Sequence, residues 1–421
     1  MTSRAPTRLA WAAICRALAG RSSTRSTAAG LFLLLSALPL AAQPTAQPAA
    51  RTGAAPRRVI APEGAPAGRP YSPGVLVGPT LYISGQLGVP GSGAAPAGMD
   101  VQARQAMDGV GAVLRAAGLG FEHLVKCHVY LATMEDYAAM NAVYGSYFTD
   151  RVPARTTVQA AALPGRAGVE IACVAYADLA GISVVRPPAG SLPAPLGPYS
   201  PAVWAGDTLY VSGMGGQDPA TKAVGDSVEA QVTQTVANIT TTLKAAGLGL
   251  ADVTWTQAYA TRVAESATVD AALTRAFGTG ALPPRGQVAV PRLPGPIRAE
   301  LTFIAAKPSV HVQRLAGADG ARGTRAGHTV YADAAVGHPV GTDVGAEVRD
   351  VFARLGALLA HGQAGLRDVA AVTVYLSDLA DMPAMNAVFT EVFPRDPPAR
   401  VTIQVQPQAT ERIRIALIAA R

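Results

Sequence analysis

This chain of 421 residues contains a repeated sequence pattern, and an arginine recurs at the same position of the pattern. Arg155 and Arg400 each follow the dipeptide Pro-Ala, and Arg285 follows Pro-Pro at the corresponding place. A planar guanidinium can bind a carboxylate through two parallel charge-assisted hydrogen bonds, which makes these arginines candidates for binding a small carboxylate. Glu170 and Glu300 occupy equivalent strand-like segments, and a partly buried carboxyl can position water and transfer protons. The alternatives are surface ion pairs for the arginines and solvated edge-strand acids for the glutamates.

The arginines belong to three copies of one domain. Short strings return in the same order, with Ala116–Gly120 repeated 129 residues later at Ala245–Gly249, Pro70–Pro73 repeated at Pro198–Pro201, and Met140–Val143 repeated at Met385–Val388. A period of this length is that of a whole small domain, not of a solenoid repeat. The sequence therefore predicts domains at residues 57–178, 184–306 and 308–421. We expect the functional sites to lie at the contacts between copies.

The first 42 residues have the layout of a secretory signal peptide. They contain five arginines and no acid, and the short apolar run Leu31–Leu40 is followed by Ala41 and Ala42. That run is too short to span a bilayer, so we expect an exported, periplasmic or secreted protein with no membrane association after cleavage. Residues 43–56 are predicted to be a linker. Removing the five arginines from 35 basic residues leaves 30 against 28 acidic ones, or +2, and a nucleic-acid partner is not expected.

Each copy is predicted to be an α+β domain with the order ββαβαββ. In the first copy, Gly78-Pro79 separates two β-branched runs and indicates a hairpin. Apolar residues at helical spacing then predict a helix capped by Asp100 and stopped at Gly118. The remaining predictions are a strand at His123–Leu131, a helix at Glu135–Phe148, and strands at Arg155–Ala161 and Val169–Ala175. Both sheet faces are largely apolar or small, so helices should cover one and another surface the other.

Two cysteines remain after the signal segment. Cys127 and Cys173 both lie in strand-like runs of the first copy. Two cysteines are too few for a disulfide framework, so buried free thiols are the preferred interpretation, with one bridge as the open alternative. No cluster of His, Cys, Asp or Glu has the spacing of metal ligands, and no metal is expected.

Several short motifs of the first copy, in order and at fixed spacing, resemble one family. They are Pro-Tyr-Ser at 70–72, Tyr-Ile-Ser-Gly-Gln at 82–86, Ala-Ala-Gly-Leu at 116–119, Met-Asn-Ala-Val-Tyr at 140–144, Pro-Ala-Arg-Thr at 153–156, Leu-Pro at 163–164 and Val-Glu-Ile at 169–171. The pattern resembles the reactive intermediate deaminase (RidA) family, once labelled L-PSP endoribonuclease. The resemblance implies a chorismate-mutase-like α+β fold, trimers with ligand clefts between subunits, and hydrolysis of 2-aminoacrylate-type enamines and imines to 2-oxo acids and ammonia. It implies no cofactor.

The resemblance also implies roles for individual residues. The carboxylate-binding arginine corresponds to Arg155, with Arg285 and Arg400 at the same place, and the acid corresponds to Glu170 and Glu300. The cleft tyrosine corresponds to Tyr71 and Tyr199, and the ligand-binding Ser-Gly segment to Ser84-Gly85 and Ser212-Gly213, while the cleft asparagine is Asn141. Three tandem copies imply that one chain supplies all three subunits of the trimer. We therefore expect an intramolecular pseudo-trimer that is a monomer in solution. Its expected partner is a small imino or 2-oxo acid.

The copies depart from the pattern unequally. Copy two has Met214 in place of Gln86 and Asp270 in place of Asn141. Copy three has Ala332–Ala334 in place of the Ser-Gly-Gln segment and Arg414 in place of the acid, so it cannot be a complete unit by itself. We therefore expect three unequal clefts in which Arg155 and Glu170 matter most.

Three functions remain open at this point. The first is an exported, cofactor-free enamine and imine deaminase. The second is a protein that binds small 2-oxo or amino acids without converting them. The third is the endoribonuclease of the older label, which the near-zero charge and the lack of a basic, aromatic stripe disfavour.

Overall fold

The computed structural model describes residues 56–89, 98–278, 282–317, 320–336, 343–407 and 411–421. The predicted signal segment, 1–42, and all but the last residue of the predicted linker lie outside these ranges. Within the described residues, each copy contains one mixed sheet and two α-helices. No described helix is long and apolar enough to cross a membrane.

The first sheet has the strand order β1-β2-β3-β6-β4-β5. All neighbours in it are antiparallel except β4 and β5, which are parallel. Its elements are β1 Arg57–Ile60, β2 Gly74–Val77, β3 Thr80–Leu87, α1 Met99–Ala116, β4 Leu124–Leu131, α2 Tyr137–Gly145, β5 Ala154–Gln159 and β6 Val169–Tyr176. The predicted order is confirmed, with one additional strand, β1, at its start.

The second and third copies repeat this plan. The second contains β7 Ile182–Val185, β8 Ala202–Ala205, β9 Thr208–Val211, β10 Met214–Gly215, α3 Val228–Ala245, β11 Val253–Ala260, α4 Ser266–Phe277, β12 Arg285–Ala289 and β13 Ala299–Ala306. The third contains β14 Val312–Ala316, β15 Arg322–Ala326, β16 Thr329–Val336, α5 Val344–His361, β17 Val369–Leu376, α6 Met382–Val392, β18 Ala399–Gln404 and β19 Ile413–Ala420. In each sheet, the strand that begins at or next to the recurring arginine (β5, β12 or β18) lies at the edge.

Two helix boundaries differ from the prediction. The first helix begins at Met99, so Asp100 lies inside its first turn, and the N-cap is Gly98 with φ 79°. Glycine populates positive φ at little cost, which is why the chain can turn there. The second helix is limited to Tyr137–Gly145, because Met134–Asp136 forms a separate 3₁₀ turn before it.

One face of each sheet packs against its own helices. In the first copy, Met107 and Leu114 of α1 share a buried cluster with Ile83, Val129 and Ile171 of the strands. The opposite faces pack against one another across the copies, since Tyr130, Tyr259 and Tyr375 of β4, β11 and β17 belong to a single buried cluster. The second apolar face is therefore covered by the neighbouring copies.

The two cysteines form a disulfide, so the preference for free thiols was wrong. Cys127 on β4 and Cys173 on β6 are direct cross-strand partners with a Cα–Cα distance of 4.1 Å, and the S–S distance is 2.10 Å. The cysteine count alone could not show that the register of these strands places the two side chains opposite each other.

Candidate active site

Arg155 lies where the edge strand of copy one meets copy two. Its backbone N–H donates to Ser212 Oγ at 2.8 Å, and the Gly213 N–H donates to the Arg155 carbonyl at 2.9 Å. Ser212 Oγ in turn donates to the Ser200 carbonyl at 2.6 Å. We call this contact the 1–2 seam. Residues 212–213 of copy two therefore fix the backbone of the arginine.

The Arg155 guanidinium is enclosed by three tyrosine rings. Its Cζ lies 4.8 Å from the ring centre of Tyr144, 5.5 Å from that of Tyr199 and 5.8 Å from that of Tyr137. Nη2 donates to the Tyr137 hydroxyl at 3.3 Å, whereas the buried Nη1 has no hydrogen-bond partner among the described residues. Because a buried charged donor without a partner is costly, Nη1 is suited to receive a carboxylate.

Asn141 lies beside this guanidinium, on the first-copy helix that also carries Tyr137 and Tyr144. Its Oδ1 is buried and has no hydrogen-bond partner among the described residues. A Cβ placed on Gly197 would lie 2.6 Å from Arg155 Nη2 and 2.8 Å from Asn141 Oδ1, so a side chain there would fill the space next to both groups. The sequence analysis found Asn141 but missed Gly197.

Glu300 of copy two shares the seam with Arg155. Burial raises the pKa of its carboxyl to about 8, although the positive charges of Lys126 and Arg155 and a hydrogen bond from the Thr157 backbone N–H act in the opposite direction. A Cβ on Gly213 would overlap the Glu300 carboxyl, so glycine is required where the strand passes this acid. The Ser-Gly segment thus holds the arginine backbone with its serine and admits the acid with its glycine.

Lys126 supports the seam from the inner face of the sheet. Its Nζ donates to Thr156 Oγ1 and Thr302 Oγ1, both at 2.8 Å, and to the Val211 carbonyl at 2.7 Å. It thereby ties together the segments that carry Arg155, Glu300 and Ser212, and burial lowers its pKa to about 7. The sequence analysis missed this role, although a lysine between apolar residues of a strand was a signal available to it.

A second seam of the same design joins copy three to copy one. The Arg400 N–H donates to Ser84 Oγ at 2.8 Å, and the Arg400 guanidinium lies 5.1 Å from the ring centre of Tyr71. Glu170 accepts a hydrogen bond from the Thr402 backbone N–H, yet burial raises the pKa of its carboxyl to about 8. Gly85 again makes room for the acid. Burial lowers the pKa of Arg400 to about 10. We call this contact the 3–1 seam.

Arg155 and Glu170 therefore lie at different seams. The first arginine works beside Glu300 of copy two, and the first-copy acid works beside Arg400 of copy three. Copy three, which has Arg414 in place of an acid, thus contributes Arg400 to a seam whose glutamate comes from copy one.

In the remaining seam, between copies two and three, the charged side chains pair with one another. Arg285 forms an ion pair with Asp270, which stands where copy one has Asn141. Arg414, in place of the acid, donates to the Gln287 carbonyl and pairs with Glu411 at 2.8 Å. A guanidinium already neutralised by a carboxylate of its own copy has little to offer a carboxylate ligand.

A cavity of about 330 Å³ opens at the 1–2 seam. Tyr137, Arg155, Tyr199 and Glu300 line its inner end. Among the described residues, no group of three or more His, Cys, Asp or Glu is arranged to hold a metal ion. The site thus offers a carboxylate receptor and a proton-transferring carboxyl in one partly enclosed space.

Comparison with known proteins identifies the family. A family profile described as "Endoribonuclease L-PSP" matches residues 62–177, 190–307 and 322–420. The chain belongs to this L-PSP endoribonuclease (RidA) family. It is 48% identical over 122 residues to the 2-iminobutanoate/2-iminopropanoate deaminase of Capra hircus, covering 28% of this chain and 89% of the relative. It is 41% identical over 123 residues to the protein of the same name in Escherichia coli, covering 28% and 96%. RidA from a Psychrobacter species, a solved structure, is 31% identical with a TM-score of 0.27, covering 28% and 97%.

The RidA-type arginines should contribute unequally to ligand binding. Arg155→Ala and Arg400→Ala should each remove one of two sites for 2-oxobutanoate, because losing a charge-assisted contact weakens binding roughly 10- to 100-fold. Arg285→Ala should retain both sites, since Asp270 already occupies that guanidinium. Isothermal titration calorimetry of the three variants measures this. A loss of binding in Arg285→Ala equal to that in Arg155→Ala would contradict the assignment.

The raised pKa of Glu300 predicts a pH dependence of stability. Between about pH 4.5 and 8 the folded protein retains a proton on Glu300 that the unfolded chain has released, so the free energy of unfolding falls as pH rises through this window. The free energy of unfolding of the wild type, measured relative to that of Glu300→Gln, should fall by at most about 1.4 kcal/mol per pH unit. Urea unfolding at several pH values measures the difference. A difference that does not change with pH would show that the folded-state pKa of Glu300 is ordinary.

Proposed function

We propose that the chain is a cofactor-free deaminase that hydrolyses reactive imines and enamines of the 2-aminoacrylate type to 2-oxo acids and ammonia. The observation that carries this proposal is the pairing, at the 1–2 seam, of a buried guanidinium nitrogen that has no hydrogen-bond partner among the described residues and a buried carboxyl whose pKa is about 8. The names of the relatives support the same class of reaction.

The residues of the seam suit each part of the reaction. The substrate carboxylate pairs with Arg155, and the tyrosine rings around the guanidinium limit its orientation. Water adds to the carbon of the C=N bond to give a carbinolamine, and the C–N bond then breaks to release ammonia and leave the 2-oxo acid. Glu300 accepts one proton from the attacking water and passes it to the nitrogen to give the carbinolamine. It then accepts the hydroxyl proton as the C–N bond breaks and passes it to the departing nitrogen, so that both protons of the water end on ammonia. A carboxyl that titrates near the working pH suits both transfers.

The 3–1 seam is proposed as a second site of the same kind, with Arg400 and Glu170 in these roles. The seam between copies two and three is proposed to be inactive, because Arg414 stands where the other two seams have a glutamate and because Asp270 neutralises Arg285. Within this proposal the chain is an intramolecular pseudo-trimer. Sedimentation equilibrium should give the mass of a single chain, and a stable dimer or trimer of chains would argue against it.

The deaminase proposal predicts which variants lose turnover. Wild type should accelerate ammonia release from 2-aminoacrylate generated in situ, and the double variant Arg155→Ala/Arg400→Ala should reduce the rate to that of buffer because neither seam then holds the substrate. Arg285→Ala is the matched control and should keep the wild-type rate. Glutamate dehydrogenase coupling measures the ammonia.

Two outcomes would decide against catalysis. A wild-type rate equal to that of buffer, combined with calorimetric binding of 2-oxo acids, would show a binding protein. A double variant that remains folded and active would remove the arginines from the mechanism.

Export is a further part of the proposal. A disulfide in copy one is consistent with an oxidising compartment, and the first 42 residues have the layout of a signal peptide. Intact mass spectrometry of the periplasmic protein should show a chain that lacks residues up to about Ala42 and is lighter by two hydrogens than its reduced form. Recovery of the full-length, reduced chain from the cytosol would contradict this.

A further inference from the structure

The cavity at the 1–2 seam is larger than the chemistry of the reacting groups requires. Its volume of about 330 Å³ falls in the range of pockets that enclose drug-sized ligands. Arg155 and Glu300 share its wall with side chains of the β7–β8 loop and of copy two that the proposed reaction does not need. Since that reaction involves only the carboxylate and the C=N group, the space beside these side chains is available to whatever else the substrate carries.

Much of the rest of the wall is apolar. It includes Leu192 and Leu196 of the β7–β8 loop, residues 186–201, together with Met214 and Ile297. Leu196 is 54% exposed, so a large part of its apolar surface is open to water. Apolar surface that is partly open to water gains free energy when an apolar ligand covers it.

Two side-chain amides of this lining are already used by the protein. The Asn238 side-chain amide donates to the Gly215 and Gln217 carbonyls at 3.0 and 2.9 Å, and Gln217 Nε2 donates to the Lys222 carbonyl at 3.0 Å. Of the described residues that line the cavity, only Arg155 and Glu300 have basic or acidic side chains. The rest of the described lining therefore has no ionic group that would pair with a charged substrate side chain.

The 3–1 seam lacks these features although its reacting groups are equivalent. Copy one has Gln86 where copy two has Met214, and Ala167 where copy two has Ile297. Its β1–β2 loop, residues 61–73, is three residues shorter than the β7–β8 loop and contains Glu63 and Arg69 but no leucine. Each difference makes the 1–2 seam more apolar than its counterpart.

We infer that the 1–2 seam selects imino acids with a bulky aliphatic side chain, which the pocket formed by Leu192, Leu196, Met214 and Ile297 holds. This inference rests on the proposed function for the orientation of the substrate, with its carboxylate at Arg155. The substitution of methionine for glutamine at position 214, which the deaminase motif alone does not explain, becomes a determinant of substrate class. The 3–1 seam is left to smaller or more polar substrates.

Binding of 2-oxo acids tests the inference separately from turnover. All proteins in this test carry Arg400→Ala, which removes binding at the 3–1 seam. Calorimetry compares their affinities for pyruvate, 4-methyl-2-oxopentanoate and 2-oxoglutarate. We expect 4-methyl-2-oxopentanoate to bind at least tenfold more tightly than pyruvate, because burying each additional methylene contributes about 0.8 kcal/mol. 2-Oxoglutarate should bind no better than pyruvate. Leu196→Ser/Met214→Gln should reduce the preference below about threefold, whereas Leu179→Ser, an exposed leucine outside the cavity, should keep it.

The outcomes separate the two proposals. Equal or weaker binding of 4-methyl-2-oxopentanoate, no measurable binding of it, or a preference that survives Leu196→Ser/Met214→Gln would each overturn the inferred substrate class. Turnover is measured on the imines that an amino acid oxidase makes from alanine and leucine. If neither imine is hydrolysed faster than in buffer while the binding preference holds, the deaminase function fails and the ligand class stands.

Discussion

The structure depends on a backbone contact between copies. The strands that carry Arg155 and Arg400 lie at the edges of their sheets, where a backbone N–H has no partner within its own copy. A buried N–H without a partner is costly, and here the hydroxyl of Ser212 or Ser84 from the neighbouring copy satisfies it. The same contact places the neighbour's glycine, and hence its acid, beside the guanidinium. The contact that joins two copies therefore also brings the arginine of one copy and the acid of the other together.

Covalent linkage of the copies allows the seams to differ. In a trimer of identical chains a substitution enters all three clefts at once, whereas in this chain it enters one seam only. The seam between copies two and three has exchanged its acid for Arg414 and pairs Arg285 with Asp270, so its charges neutralise one another. The other two have kept the arginine and the acid but surround them with different walls.

Local pattern was sufficient to predict the elements, because alternation and helical spacing indicate the sheets and helices of each copy. The recurring Pro-Ala-Arg segment and the single Val-Glu-Ile segment of copy one point to Arg155 and Glu170, whose roles stay predictions. The partner of each residue could not be predicted, because the order of the copies around their shared cluster decides it and no local pattern encodes that order. The Cys127–Cys173 bridge was missed for the same kind of reason, since it depends on the register between β4 and β6. Lys126 looked like an ordinary strand residue until its three acceptors from two copies were seen together.

Copy one carries the disulfide and is also the copy shared by both seams that retain an acid. Cys127 is the cross-strand partner of Arg155 in the parallel pair of β4 and β5, and Cys173 lies three residues from Glu170 on β6. The disulfide thus joins β4, the strand that pairs with the Arg155 strand, to β6, the strand that carries the acid of the 3–1 seam. If both seams are reacting centres, as proposed, they share one common point of failure. Under that proposal, substitutions in the core of copy one should be tolerated far less than equivalent ones in copy two or three, each of which contributes to only one of these two seams.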